Sequence, residues 1–243
     1  EFTGDQRQAV FGCVEMHPEL MSLIDENRIY YPIEQLLGPD FLYWGSDGNL
    51  YVGDTSWHPD AHEGDFNYSR IKVAFYLDPV SKDTGCLRVI PGSHQPQFHT
   101  ELYPLKLWRM MQLVNEGRMD ETELKPFLDL GLEPDKPVFG TDQWDLPGFS
   151  LESEPGDMVI FSHYLFHGSW GGKTGRRMFT LNYMANPINE GQVEILNKSY
   201  KNHARQQAIS FTKRKHKHQE SFMECDRPRI RRITSRLKKL GFI

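Results

Sequence analysis

The stretch Pro155-Gly-Asp-Met-Val-Ile-Phe-Ser-His-Tyr-Leu-Phe-His-Gly-Ser-Trp-Gly-Gly-Lys-Thr-Gly-Arg-Arg-Met-Phe-Thr-Leu-Asn-Tyr-Met184 decides the class of fold. Met158–Phe161 and Met178–Met184 are short runs rich in β-branched and aromatic residues, bounded by Pro-Gly and Gly-Gly turn signals, which is the pattern of strands. Working outward, Leu50–Val52, Ile71–Leu77 and Leu87–Ile90 repeat it. Short strands gathered around one pocket predict a mainly β protein of barrel or jelly-roll type with peripheral helices.

The flanks carry the helical signals. Residues 5–37 read as mainly helical, from Arg7 through Glu15, then Pro18–Ile24 and Ile33–Leu37, with a stop at Gly38-Pro39. Residues 96–150 read as an insert, helical over Tyr103–Glu116 and Glu121–Leu130 and loop-like over 134–147. An insert between two halves of a barrel is placed to overhang one mouth as a lid; the other reading makes it an outer layer or a dimer contact. Val193–Ala208 and Arg227–Leu240 read as polar, basic helices. We expect one domain over 1–243: a helical part at 1–40, a barrel core at 41–95 and 151–185, the insert at 96–150 and a basic helical part at 186–243.

Composition narrows the classes. A chain of 243 residues with 38% hydrophobic residues and a mean hydropathy of −0.59 has no stretch long and apolar enough to enter a membrane, and no cleavable signal pattern. It begins at Glu1-Phe2 without methionine, which leaves room for a preceding piece. Cys13, Cys86 and Cys225 are odd in number and widely spaced, so no disulfide framework is expected and a reducing cytoplasm suits the chain. The net charge of −5 hides an asymmetry. Residues 198–243 hold 14 Lys and Arg against Glu220, Glu224 and Asp226, a net of 14 − 3 = +11; subtraction from the 28 basic and 33 acidic residues of the chain leaves 14 − 30 = −16 for 1–197. A basic tail can serve nucleic acid, but aromatics for base stacking are sparse there. We read it as helices lying on the acidic body, with nucleic acid not expected as a partner.

His58-Pro59-Asp60, followed by His167 and then Arg177, is the chemistry-bearing constellation. Two imidazoles and one carboxylate form the facial triad that holds non-haem Fe(II) while leaving coordination positions open. On an extended strand, residues i and i+2 share a side, so His58 and Asp60 can reach one ion. His62 has helical spacing from His58 in a loop, His163 lies too far along its segment, and His94 is expected to order its own turn. A guanidinium downstream suits a carboxylate-bearing second ligand, with which it pairs in bidentate fashion.

The wider context adds Gly85-Cys-Leu-Arg-Val-Ile-Pro-Gly-Ser-His94, Pro155–Phe161 and His167–Tyr183 in order. Over roughly residues 40–95 and 150–185 the chain closely resembles the phytanoyl-CoA dioxygenase family of Fe(II)- and 2-oxoglutarate-dependent oxygenases. The resemblance implies a double-stranded β-helix of the jelly-roll, cupin-like kind, with His58, Asp60 and His167 as iron ligands and 2-oxoglutarate and O₂ as cosubstrates. It also implies an arginine on the strand after His167 for the distal carboxylate of 2-oxoglutarate. Strand alternation sets Arg177, Phe179, Leu181 and Tyr183 against Arg176, Met178, Thr180 and Asn182. The first set is more apolar, so we expect it to line the barrel with Arg177 as the anchor; this stretch is about a residue shorter than in some relatives, which keeps Arg176 as the alternative.

Ser169 and Thr55 are candidate hydroxyl partners of the cosubstrate or else satisfy backbone groups, and Trp57, Trp144, Phe149 and Trp170 read first as packing, with substrate contact as the alternative. Lys72 could face either way. Related halogenases lack a carboxylate at the position of Asp60, so its presence implies hydroxylation or another oxidation, most simply hydroxylation of a small molecule, zwitterionic, amino-acid-like or a specialised metabolite, with release of succinate and CO₂. Two readings compete. A non-redox, cupin-like metabolite-binding module has no need of the guanidinium. A nucleic-acid demethylase typically carries a further arginine six positions past the cosubstrate arginine, where this chain has Tyr183.

Overall fold

A computed structural model describes residues 7–61, 66–115, 117, 119–129, 131, 133, 138, 140–141, 143–172, 175–208, 218 and 220–242. The strands are β1 (Gln8–Phe11), β2 (Leu42–Tyr51), β3 (Thr55–His58), β4 (Arg70–Tyr76), β5 (Leu87–Val89), β6 (Phe149–Leu151), β7 (Val159–Ser162), β8 (His167–Ser169) and β9 (Arg176–Met184). They form two antiparallel sheets, ordered β1-β2-β9-β4-β7 and β3-β8-β5-β6. The architecture is mainly β with peripheral helices, a double-stranded β-helix.

The helices are α1 (Pro18–Met21), α2 (Asn27–Leu37), α3 (Pro96–Glu101), α4 (Tyr103–Asn115), α5 (Lys125–Leu128), α6 (Glu190–Ala208), α7 (Glu220–Met223) and α8 (Pro228–Lys239). Successive strand residues point to opposite faces, and here both faces of the larger sheet are covered. Ile71, Val73, Leu181 and Tyr183 pack outward against Ile29 and Ile33 of α2 and Ile230 and Ile233 of α8. On the other face Ala74, Tyr76 and Phe161 meet Leu87 and Val89 of the smaller sheet. A cavity lies between the two sheets, lined from both.

Two expectations about elements change. Arg7–Glu15 is helical only in the short 3-10 turn that begins at Val14: Gln8–Phe11 is a strand on the open edge of β2, with Gln8 opposite Leu50 and Phe11 opposite Asp47. An unpaired sheet edge overrides weak local preference. Phe149–Leu151 is the strand β6, paired with β5, so the insert ends sooner than its hydrophobicity suggests. The described part of the insert backs the strand that carries His58, with Gln112 accepting from the Ser56 hydroxyl at 3.2 Å. Leu102, Leu105, Val138 and Leu146 bury Trp57 and Phe166 behind the β3–β8 pair, and no described residue of 96–148 lines the cavity.

The basic C-terminal helix behaves as a neutralising layer. Its apolar face carries Ile230, Ile233 and Leu237, all fully buried, at the spacing of an amphipathic helix. Its arginines pair with the acidic N-terminal part: Arg227 with Asp25 at 2.6 Å and Arg232 with Glu34 at 3.1 Å. All three cysteines are free. No helix among the described residues is long and apolar enough to cross a membrane.

Candidate active site

His58 ends β3 and His167 begins β8, and the two are direct cross-strand partners with ring centroids 4.3 Å apart. Thr55 pairs with Ser169, so three steps on β3 match two on β8. The extra residue is a bulge, which re-aims side chains. It lets Thr55 and His58 face the same cavity despite an odd separation. Asp60 lies two residues beyond the strand, and donor atoms of His58, Asp60 and His167 come within 4.8 Å of one another.

Both imidazoles are held the same way. His58 Nδ1 lies 2.8 Å from the Ser56 carbonyl and His167 Nδ1 lies 2.9 Å from the Leu165 carbonyl. A carbonyl can only accept, so each Nδ1 carries the proton and each Nε2 presents its lone pair, the state a metal ligand needs. Burial, followed by the neighbouring His167, holds His58 well below the usual imidazole range. Burial also lowers His167. Both are therefore neutral near pH 7. Burial alone would raise Asp60, but the Lys72 ammonium and the surrounding histidines outweigh it and hold the carboxyl well below its usual range. Lys72 faces inward and donates to Asp60 Oδ1 at 2.8 Å, while Asp60 Oδ2 has no hydrogen-bond partner and lies 3.7 Å from His167 Nε2.

The cavity, of about 110 Å³, is lined by this triad with Thr55, Ser169 and Arg176. Arg177 lies outside it. Its guanidinium is exposed and bound to Asp78, whose carboxylate also accepts from the Arg177 backbone N–H at 3.0 Å. The expectation that Arg177 faces inward is thus corrected. The apolar face of β9 packs under α2 and α8, and the more polar face, Arg176, Met178 and Thr180, turns to the cavity.

Arg176 is buried with an unusual surplus of donors. Nη2 reaches the Gly53 carbonyl at 3.3 Å, but Nε and Nη1 have no partner. Leaving donors of a buried guanidinium unpaired is costly, and the fork is shaped for a carboxylate. Gly85 and Gly172 make room for it, since a Cβ on either would overlap Arg176 Nη1. The Tyr51 ring lies on one side, 5.7 Å from the guanidinium carbon. This seat fits the distal carboxylate of a keto diacid, and the three-donor set fits a divalent metal.

The other expected residues divide. Ser169 and Thr55 line the cavity, Ser169 donating to the Gly85 carbonyl at 2.7 Å. Trp57, Trp144, Phe149 and Trp170 do not line it. Trp57 is fully buried in an edge-on contact with Trp170, which touches Trp144 in turn; Phe149 is 62% exposed. Trp57 serves packing, whereas Trp144 and Phe149 are exposed. His163 is buried beside Asp60 and Lys72, and burial pushes it down to about 3. His62 lies outside the described residues. Sequence reasoning passed over the glycine seat, although Gly85 and the Gly171-Gly172 pair were its visible trace.

Among solved structures the chain is similar to HygX from Streptomyces hygroscopicus with nickel and 2-oxoglutarate bound, at 14% identity and a TM-score of 0.50, covering 76% of this chain and 72% of that one. It is also similar to AviO1 from Streptomyces viridochromogenes Tue57, at 18% identity, TM-score 0.48, 77% and 72% coverage. A third is the non-heme alpha ketoglutarate dependent epimerase SnoN from nogalamycin biosynthesis, at 18% identity, TM-score 0.48, 73% and 62% coverage. The chain spans only 36% of a further similar structure, EvdMO1. At such identities the likeness concerns the fold. No curated protein sequence matches the chain. The model of the family described as Phytanoyl-CoA dioxygenase (PhyH) matches residues 46–179, more than half of the chain and all of β3 to β8. The chain therefore belongs to the phytanoyl-CoA dioxygenase family, whose members depend on Fe(II) and 2-oxoglutarate.

Proposed function

We propose that this protein is an Fe(II)- and 2-oxoglutarate-dependent hydroxylase of a small molecule, with His58, Asp60 and His167 as the metal ligands and Arg176 as the anchor of the cosubstrate. The carrying observation is the pairing of two features in one cavity: a three-donor set with both Nε2 atoms free, and a buried guanidinium with two unpaired nitrogens. A metabolite-binding module without redox chemistry gives no reason for the second. The demethylase reading is not favoured either, because the sixth residue past Arg176 is Asn182 and past Arg177 is Tyr183.

When bound, iron, 2-oxoglutarate and O₂ supply the oxidising power to break an unactivated C–H bond, with succinate and CO₂ released; that chemistry belongs to the cofactor. The chain's own residues orient and enclose. The Ser56 and Leu165 carbonyls fix the imidazole protons on Nδ1. Arg176, held between glycines and Tyr51, fixes one end of the keto diacid and so its direction in the cavity. Ser169 keeps its proton on the Gly85 carbonyl and can accept a further bond. The wall formed by Phe161 and Leu87 limits water. The test is succinate release from 2-oxoglutarate under Fe(II) and O₂. We expect slow uncoupled turnover in the wild type and none in His167→Ala; equal turnover in a folded His167→Ala variant overturns the assignment.

A further inference from the structure

We propose that Lys72 is a positioning residue that makes Asp60 a one-oxygen ligand. The inference rests on the metal and cosubstrate assignment above and deepens it. Lys72 stands in the middle of β4, where backbone pairs with Asn182 of β9 and Phe161 of β7 fix it on both sides. Its ammonium engages Asp60 Oδ1 at 2.8 Å with both side chains largely buried, at 16% and 20% exposure. The other oxygen, Oδ2, is the one left without a partner, and it is the one turned toward His167 Nε2. One oxygen is thus taken by the protein and one is offered to the ion.

The distinction matters because of coordination number. A facial triad leaves three open positions, and a chelating keto acid together with O₂ fills all three. A carboxylate free to turn can grip a dication with both oxygens, as carboxylates do in other sites. That grip would occupy a position the cosubstrates need. Asp60 follows Pro59 beyond the end of β3, outside any ladder, so its backbone alone does not hold the carboxylate still. Lys72 does so from a rigid strand.

A purely charge-neutralising lysine predicts a different outcome, and the experiment separates the two. Co(II) serves as an oxygen-inert probe, with wild type, Lys72→Met, Lys72→Arg and His167→Ala titrated first with Co(II) and then with 2-oxoglutarate, followed by crystal structures of the Co(II)-loaded proteins. We expect Lys72→Met to keep Co(II) within about threefold of wild type, because the second Asp60 oxygen then closes on the ion and offsets the roughly 10–100-fold loss that removal of an orienting partner otherwise brings. Its 2-oxoglutarate affinity should fall by about tenfold or more, with both Asp60 oxygens on the metal, and Lys72→Arg should recover most of the loss. Unchanged 2-oxoglutarate affinity, or a one-oxygen Asp60 in Lys72→Met, overturns the proposal. If Lys72→Met does not fold, the same measurements on Lys72→Gln, with affinity preserved only where its amide still holds Oδ1, decide between the same two results. Wild-type protein that takes up no Co(II), or His167→Ala that takes it up equally well, would instead overturn the metal assignment itself.

Discussion

Arg176 and Arg177 are neighbours with opposite surroundings, and the contrast is measurable. Arg177 meets Asp78 at the surface, where an exposed ion pair contributes little. Arg176 is buried on the cavity wall, with Nε and Nη1 lacking a hydrogen-bond partner. Removing one side of a buried charged pair costs about 2–5 kcal/mol. We therefore predict that Arg176→Ala weakens 2-oxoglutarate binding by some tens- to thousands-fold, read by calorimetry on metal-loaded protein, whereas Arg177→Ala changes it by less than about threefold. The reverse order would show that the cavity described here is not the cosubstrate site.

At the scale of elements, the site is made by strand pairing and by two glycines. The β3 bulge brings Thr55 into line with His58, and the direct opposition of His58 and His167 sets the donor spacing. Gly172 leaves the space that Arg176 fills; a Cβ there would overlap Nη1 and sit 2.7 Å from the Thr84 carbonyl oxygen. Gly172→Ala should therefore lower 2-oxoglutarate affinity by about tenfold or more, since a misdirected charged partner loses much of its pairing energy. Metal uptake should be unchanged; parallel loss of metal would mean the loop, not the guanidinium seat, was disturbed. The triad was legible in the sequence because His-x-Asp spacing and the His-Gly-Ser context are local. The choice between Arg176 and Arg177 was not, because it turns on which side of β9 the helices α2 and α8 cover. Polar Thr180 and Asn182, alternating with Phe179 and Leu181 on a central strand, were the better guide: buried polar groups need partners. Thr180 finds one in Asp47 at 2.6 Å, on the cavity side. The edge strand β1 and the strand β6 were hidden for a similar reason, since each is defined by a partner distant in sequence.

Across the whole molecule, the two ends of the chain brace the larger sheet from outside. Glu15 is fully enclosed, accepts from the Ser46 backbone N–H at 3.2 Å and from its hydroxyl, and lies 3.5 Å from His218 Nδ1. Burial raises its carboxyl, but the bond and charge of His218 and the Ser46 hydroxyl prevail and lower it. A depressed carboxyl contributes stability above its unfolded value, about 4.3. That contribution is lost as pH falls through this value toward the lower folded one. Glu15→Gln should cost about 1–3 kcal/mol at pH 7, as expected where a buried charged acceptor is lost, and flatten the fall of stability below about pH 5, measured by urea unfolding across pH. A variant as stable as wild type at pH 7, with the same acid slope, would show that this contact does not brace the fold.

The central claim, that one cavity holds both a metal and a keto diacid, is tested most directly by anaerobic titration of the protein with Fe(II) and then 2-oxoglutarate. Chelation of the keto acid on ferrous iron gives a visible charge-transfer band. We predict that the band develops to one equivalent in the wild type, is absent in His167→Ala, and in Arg176→Ala needs a far higher 2-oxoglutarate concentration. A wild-type protein that binds both components with no band, or a band that survives unchanged in both variants, would contradict the account.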